Sequence, residues 1–192
     1  PFLIGAAIAD AEGTHNSAVF LDINGFVQNI YYKRHLIPLT EYIPQSWFWK
    51  NFARIFHVES FELVPGTTAG LMNITSRISK EKALFGVAIC SEDNVAKVFR
   101  QYAKEGAGFV LVLLNNGWFS QKEGLVMHAQ HSIMRAVENR MPVIRVANTG
   151  LSGLIDRFGQ LSPGSLDSLE QQRFFLYEIV PDSQKSVNNN LA

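Results

Sequence analysis

The sequence predicts an α/β fold with helices packed on sheets, and three observations carry that expectation. Apolar runs of strand length recur along the chain, with a hairpin signal at Asn24-Gly25 between two of them. Val95, Val98, Phe99, Tyr102 and Ala103 recur at i, i+3, i+4, i+7 and i+8, the spacing of one buried helix face. Phe109 to Leu114 is unbroken apolar sequence, as expected for a strand covered on both faces. From about residue 69 onward strands and helices alternate, the pattern of helices laid on a sheet.

The first third reads as strands: Phe2 to Ile8, then Asn16 to Ile23, then Val27 to Tyr32 beyond the Asn24-Gly25 turn. Lys33 ends that arm. Pro38 and Pro44 exclude regular structure from His35 to Pro44 and demand a fixed loop. Trp47, Phe48, Trp49, Phe52 and Phe56 follow on a short helical stretch. Leu71 to Ser76 and Ala83 to Ile89 form a hairpin around Ser79-Lys80-Glu81. Asp93 or Asn94 is expected to cap the next helix, and Gly106 to stop it as the residue just past its end. A second helix runs from about Leu125 to Asn139, followed by strands at Val143 to Ala147 and Leu151 to Ile155. The turn Arg157-Phe158-Gly159-Gln160 and a last strand, Phe174 to Val180, complete a single domain over residues 1–181. The polar, Asn-rich tail from Asp182 to Ala192 is expected to be disordered. No repeat or interdomain linker interrupts the pattern.

The bulk properties narrow the function classes. The chain has 192 residues, 47% of them hydrophobic and 18% charged, ordinary values for a globular domain with a substantial core. Its 17 basic and 17 acidic residues cancel and are scattered, so neither a nucleic-acid footprint nor a polybasic membrane patch is read. The single cysteine excludes an internal disulfide. No apolar run reaches bilayer-spanning length, and no signal-peptide pattern opens the chain. The start, Pro1-Phe2-Leu3-Ile4-Gly5, runs straight into a strand without an initiator methionine, which reads as a fragment whose upstream elements are missing.

Cys90 is the residue most suited to covalent chemistry. It ends an apolar strand and precedes a helix, where a side chain is exposed in a crevice on a rigid backbone and the helix's partial positive charge favours a thiolate. Glu92 lies close enough to influence it. A buried, inert cysteine is the alternative, and the commoner fate of a lone Cys after an apolar run. A thiol nucleophile also needs a base and an oxyanion donor. Among five histidines, His35 and His57 fall in loops, and His128 and His131 share a helix without a third ligand, so zinc is not expected. Lys33 and Glu41 offer a cation for an oxyanion and a carboxylate to orient it; a solvated lysine and an ordinary loop carboxylate are the bland readings.

Four segments, in order, resemble the apolipoprotein N-acyltransferase branch of the nitrilase superfamily. Tyr32-Lys33-Arg34-His35-Leu36-Ile37-Pro38-Leu39-Thr40-Glu41-Tyr42-Ile43-Pro44 resembles its lysine motif, and Gly86-Val87-Ala88-Ile89-Cys90-Ser91-Glu92 its nucleophile strand. Asn115-Asn116-Gly117-Trp118-Phe119 is similar to its post-strand loop. Arg135 to Arg145, continuing through Asn148-Thr149-Gly150, resembles its helix–strand pair. The chain carries Thr40, Ser91 and Gly117 where the family usually has Gly, Tyr and Asp.

The resemblance implies an N-terminally incomplete, nitrilase-type α-β-β-α sandwich and a Glu–Lys–Cys triad. Cys90 is then the nucleophile, Lys33 the lysine, and Glu41 and Glu92 supporting carboxylates; Ser91, Asn116 and Trp118 take substrate-binding positions. The triad's first glutamate belongs upstream, so this chain alone is expected to be inactive. The implied reaction moves a fatty acyl group from a phospholipid to the N-terminal amine of a diacylglyceryl-cysteine apolipoprotein, through a thioester and without a cofactor. It implies the periplasmic side of the bacterial inner membrane, reached through flanking segments. The aromatic cluster after Pro44 then reads either as core or as an apolar opening toward the bilayer. The second reading of the whole is a soluble amidase or carbamoylase using the same cysteine, and the third a folded remnant without activity.

Overall fold

The computed structural model describes residues 1–75, 80–117, 122–162 and 166–168. The expected strand Phe174 to Val180, the tail, and Trp118 lie outside them. The chain forms two compact units, Pro1–Gly70 and Leu71–Ala192.

The first unit holds an antiparallel sheet of β1 (Phe2–Ala9), β2 (Thr14–Leu21) and β3 (Val27–Tyr32), in that order. Alternation at β2 is weak because its middle is buried: Ser17, Ala18, Val19 and Phe20 are all covered. The β2–β3 connection is wider than a two-residue turn. Asp22 accepts from the backbone N–H of Asn24 and Phe26 through Oδ1, and Gly25 takes the left-handed φ of 85° that the loop requires. After β3 the proline loop folds back on itself through a bridge between Pro38 and Tyr42. The aromatic stretch is helical as expected, forming α1 (Trp47–Ile55), with Ser46 at its N-cap position. Its rings do not form a core in this unit: Trp47 is 80% exposed, and Phe48 and Phe56 are also exposed.

The second unit is a six-stranded sheet in the order β4 (Leu71–Thr75), β5 (Lys82–Ile89), β6 (Phe109–Leu114), β7 (Val143–Ala147), β8 (Gly150–Ile155) and β9 (Leu166–Ser168). β5, β6 and β7 run parallel, and the outer pairings are antiparallel. Parallel neighbours need crossovers, which α2 (Ala96–Lys104) and α3 (Lys122–Asn139) supply. The parallel strands are buried as their apolar runs predict, with Val87, Ala88, Val110, Val112 and Val143 inaccessible and the Phe85 and Phe109 rings stacked at 5.2 Å. Helix α2 buries Val98, Phe99 and Tyr102, the expected face, and Gly106 follows its end at φ 85°. The expected cap is a correction. Neither Asp93 nor Asn94 caps α2; Val95 holds that position without a side-chain bond, and a short 3₁₀ turn, Cys90–Asn94, intervenes. Asp93 is drawn inside because His128, Ser132 and the buried Arg145 guanidinium compete for its carboxylate. The turn at Arg157-Phe158-Gly159-Gln160 forms, closed by Asp156, whose Oδ1 accepts from Phe158 N and Gln160 N.

Close packing fixes one glycine in this sheet. A Cβ on Gly86 would overlap the ring of Tyr102, whose hydroxyl donates to the Val87 carbonyl at 2.7 Å from the buried face of α2. Overpacking costs about 1–3 kcal/mol, more than the roughly 0.5–1 kcal/mol that alanine gains over glycine in a strand. Gly86→Ala is therefore expected to lower stability by about 1–2 kcal/mol, and Tyr102→Phe by about 1 kcal/mol, in urea titrations followed by circular dichroism. Wild-type stability of Gly86→Ala would show that the Tyr102 ring has room to yield.

Candidate active site

In the first unit, β3 and the proline loop place a lysine and a carboxylate together. Lys33 leaves β3 with its N–H donated to the Asn16 carbonyl and its own carbonyl accepting from Gly66 N. Lys33 is 1% exposed, so the solvated-lysine reading fails. Nζ donates to Glu41 Oε2 at 2.7 Å. Glu41 is itself held from several sides. Oε2 accepts from Ile37 N at 2.7 Å, Oε1 accepts from Asn16 Nδ2 at 3.2 Å, and the Glu41 carbonyl accepts from Leu63 N at 2.7 Å. Leu39, at φ 63°, turns the backbone so that the carboxylate faces back to the lysine eight residues earlier. His15 stacks on Tyr32 at 4.1 Å and faces the Val64 carbonyl and Asp10, bracing the strand end that carries Lys33. Sequence reasoning did not single out His15 or Asn16; nothing in their local pattern distinguishes them from ordinary strand residues.

In the second unit, Cys90 lies at the carboxyl ends of the parallel strands, where open α/β sheets present their crevice. Cys90 follows β5, Asn115 and Asn116 follow β6, and Asn148 follows β7. Cys90 is half-buried and sits at φ 51°, a left-handed conformation uncommon for a residue with a side chain. The turn that holds it is over-determined. Glu92 is fully buried and its Oε2 accepts from Ile89 N at 2.9 Å, bending the carboxylate back across the cysteine. Asp93 is fully buried too. Its Oδ1 faces His128 Nε2 at 3.1 Å, and its Oδ2 accepts from Ser132 Oγ and Arg145 Nη1, each at 2.8 Å. Ser91, at the turn's second residue, is half-buried.

Asn116 is inaccessible and stitches the strand ends together. Its N–H donates to Asn148 Oδ1 at 2.7 Å, its Nδ2 to the Thr149 carbonyl at 2.9 Å, and its Oδ1 faces His128 Nδ1 at 3.1 Å. Asn148 also donates to Asn115 Oδ1 at 2.7 Å. Thus His128 is engaged between Asp93 and Asn116, not in a histidine cluster. Asp93, His128, Ser132 and Arg145 are the buried residues that sequence reasoning missed as a group. A polar residue of each kind on a buried helix face or central strand was the available signal. Lys33 with Glu41, and Cys90 with Glu92, are brought together within their own units.

Several comparisons bear on this site. Residues 3–171 match the family described as carbon–nitrogen hydrolase. The chain is 32% identical over 150 residues to a protein named apolipoprotein N-acyltransferase from Chlamydia muridarum, covering 77% of this chain and 27% of that one. It is 32% identical over 147 residues to one of the same name from Thermotoga maritima, covering 77% and 28%. The chain thus spans about a quarter to a third of the length of these relatives. Among solved structures, a carbon–nitrogen hydrolase from Helicobacter pylori superposes over 88% of this chain and 59% of its own, with a TM-score of 0.62 and 18% identity. That likeness bears out the expected nitrilase-type fold.

Two expectations follow from the geometry. Glu41→Ala leaves the Lys33 ammonium buried without its partner and should cost about 3–5 kcal/mol by urea denaturation, with Glu41→Gln less damaging. The second concerns Asp93. Burial alone would raise its pKa, but the hydrogen bond and charge of His128, the charge of Arg145 and the bond from Ser132 outweigh it and hold the carboxyl below its ordinary 3.8. A folded value below the unfolded one stabilises the protein above about pH 4, and that contribution is lost as pH falls through the folded value. Asp93→Asn should therefore flatten the acid limb of the stability–pH curve below about pH 4, while costing about 3–5 kcal/mol at neutral pH. An unchanged acid limb would remove Asp93 from the cluster's energetics.

Proposed function

Because the chain belongs to the carbon–nitrogen hydrolase family, we propose that it is the catalytic part of an N-acyltransferase that works through a thioester on Cys90. The observation that carries this reading is the left-handed backbone of Cys90 at the mouth of a parallel sheet. Strain of this kind costs about 1–3 kcal/mol and is kept where it aims a reacting group. The relatives named apolipoprotein N-acyltransferase support the choice of reaction within the family.

In this reading the Cys90 thiolate attacks the ester carbonyl of a phospholipid. The tetrahedral oxyanion is met by the Lys33 ammonium and the Ser91 N–H, and collapses to a thioester as the lysophospholipid leaves with a proton. The free α-amine of a lipoprotein's diacylglyceryl-cysteine then attacks the thioester; the amide forms and the thiol is restored. Glu41 holds Lys33 in place and Glu92 fixes the cysteine turn, and the first glutamate of the family's triad is the proton acceptor. The resemblance gives Asn116 and Trp118 a part in binding the substrate. No cofactor enters the reaction.

Both units are parts of one hydrolase domain over residues 1–181, which the family match across 3–171 supports. The domain works at the periplasmic face of the inner membrane. The outward rings of Trp47, Phe48 and Phe56, with Lys50 and Arg54 on the same helix, suit contact with lipid. No helix among the described residues is long and apolar enough to cross a membrane.

The test is a labelled-phospholipid assay in the whole protein, read by mass spectrometry for the acyl-enzyme and by gel for the N-acylated lipopeptide. Cys90→Ala should abolish both signals. Lys33→Met should slow acyl-enzyme formation by about 10²-fold or more, the scale of losing one oxyanion donor. Near-normal transfer by Cys90→Ala would refute the assignment, and turnover of small amides without lipid transfer would favour a soluble amidase.

A further inference from the structure

The reading above leaves a buried arginine without a task. Arg145 lies on β7, in register with Val112 of β6, which pairs in turn with Ala88 of β5, two residues before Cys90. It is 1% exposed, a costly place for a guanidinium unless something there needs the charge. Its Nη1 donates to Asp93 Oδ2, to Ser132 Oγ and, at 3.4 Å, to the His128 carbonyl, and its Nε reaches the Leu151 carbonyl at 3.4 Å. Its Nη2 is buried and has no hydrogen-bond partner among the described residues. A buried, unspent donor on a permanent cation, tied to the third residue after the nucleophile, is unusual structural material.

We propose that Arg145 is a positioning residue for the nucleophile: it clamps the Cys90 turn through Asp93 and lends the thiol its positive charge. The inference rests on the reading of Cys90 as nucleophile. Guanidinium is suited to both tasks, since it cannot release its proton in a protein and its fork can hold a carboxylate with one edge while the other remains available. Burial pulls Arg145 below the usual arginine range, while the Asp93 charge and hydrogen bond, and the charge of a Cys90 thiolate, act in the opposite direction. The cysteine and the guanidinium are therefore within electrostatic reach.

The other groups around the turn shape the net effect. Glu92 and Asp93 on the turn itself are buried carboxylates and oppose a thiolate. From α3, His128 bonds Asp93, and His131 lies with its ring 6.3 Å from that of His128. From α2, Tyr102 is spent on the Val87 carbonyl, while Lys97 and Arg100 are exposed. Among these, Arg145 is the buried cation of fixed charge.

The charge role has a signature that simple scaffolding lacks: removing the cation and removing its counter-ion must move the thiol in opposite directions. The experiment is alkylation by iodoacetamide across neutral and mildly alkaline pH in the whole protein, read on the peptide carrying Cys90 by mass spectrometry. It requires no turnover, so it fails or succeeds independently of the proposed reaction. Wild type should titrate below the roughly 8.5 of an unperturbed thiol. Arg145→Gln should move that midpoint up and slow alkylation at neutral pH by about tenfold, one pKa unit. Asp93→Asn should move it down, and Arg145→Lys should stay near wild type. Near-ultraviolet circular dichroism reports whether each variant is folded, and each folded variant is read on its own. A folded Arg145→Gln with an unchanged profile, a folded Asp93→Asn shifted upward or not at all, or a wild-type midpoint at or above about 8.5 would each overturn the proposal.

Discussion

An ionised carboxylate cannot be buried alone, and the second unit is arranged around meeting that demand for Asp93. Desolvation of an unpaired carboxylate costs several kcal/mol, so its two oxygens must be supplied with donors from wherever the fold can bring them. They come from α3, through His128 and Ser132, and from β7, through Arg145. These partners fix the 3₁₀ turn that begins at Cys90 against the ends of the parallel strands. His128 extends the same set of bonds to Asn116, and Asn116 extends them to the β7–β8 connection. The left-handed backbone at Cys90 persists because displacing the turn would strand several buried polar groups together.

The lysine side solves a smaller version of the same problem. One carboxylate, Glu41, meets one ammonium, Lys33, and the remaining lone pairs take Ile37 N–H and Asn16 Nδ2. The proline loop is what makes this geometry: the fixed φ of Pro38 and the turn at Leu39 bring Glu41 back to the end of β3. A lysine held in this way points its Nζ in a fixed direction.

Much of this architecture was legible because strong local patterns carried it. The apolar run Phe109 to Leu114 and the i, i+3, i+4 spacing around Phe99 became the buried strand and helix they indicate. The prolines at 38 and 44 marked a fixed loop, and family motifs drew attention to Lys33, Glu41, Cys90 and Glu92. The cap of α2 was misread because Asp93 has the residue type of a good N-cap while tertiary partners compete for it more strongly. Local propensity is worth about 1 kcal/mol at a cap, and a buried ion pair with further hydrogen bonds outweighs that. Arg145 was passed over for a related reason. In sequence it is one basic residue in a short strand, and only the packing of α3 and the Cys90 turn around it gives the charge a destination.

The two ion pairs also differ in how far apart their partners stand along the chain: eight residues for Lys33 and Glu41, but 52 for Asp93 and Arg145. Closing the longer loop costs about 1.7 kcal/mol more in chain entropy, and it requires β6, α3 and β7 to be in place first. The lysine arrangement is thus a local structure that forms with its own short segment, whereas the cysteine turn is completed only when the parallel sheet is. A nascent or partly unfolded chain then carries Cys90 as an ordinary thiol on an ordinary backbone. The left-handed turn and its buried bonds exist only once the surrounding fold does, so the local geometry at Cys90 is a late product of folding.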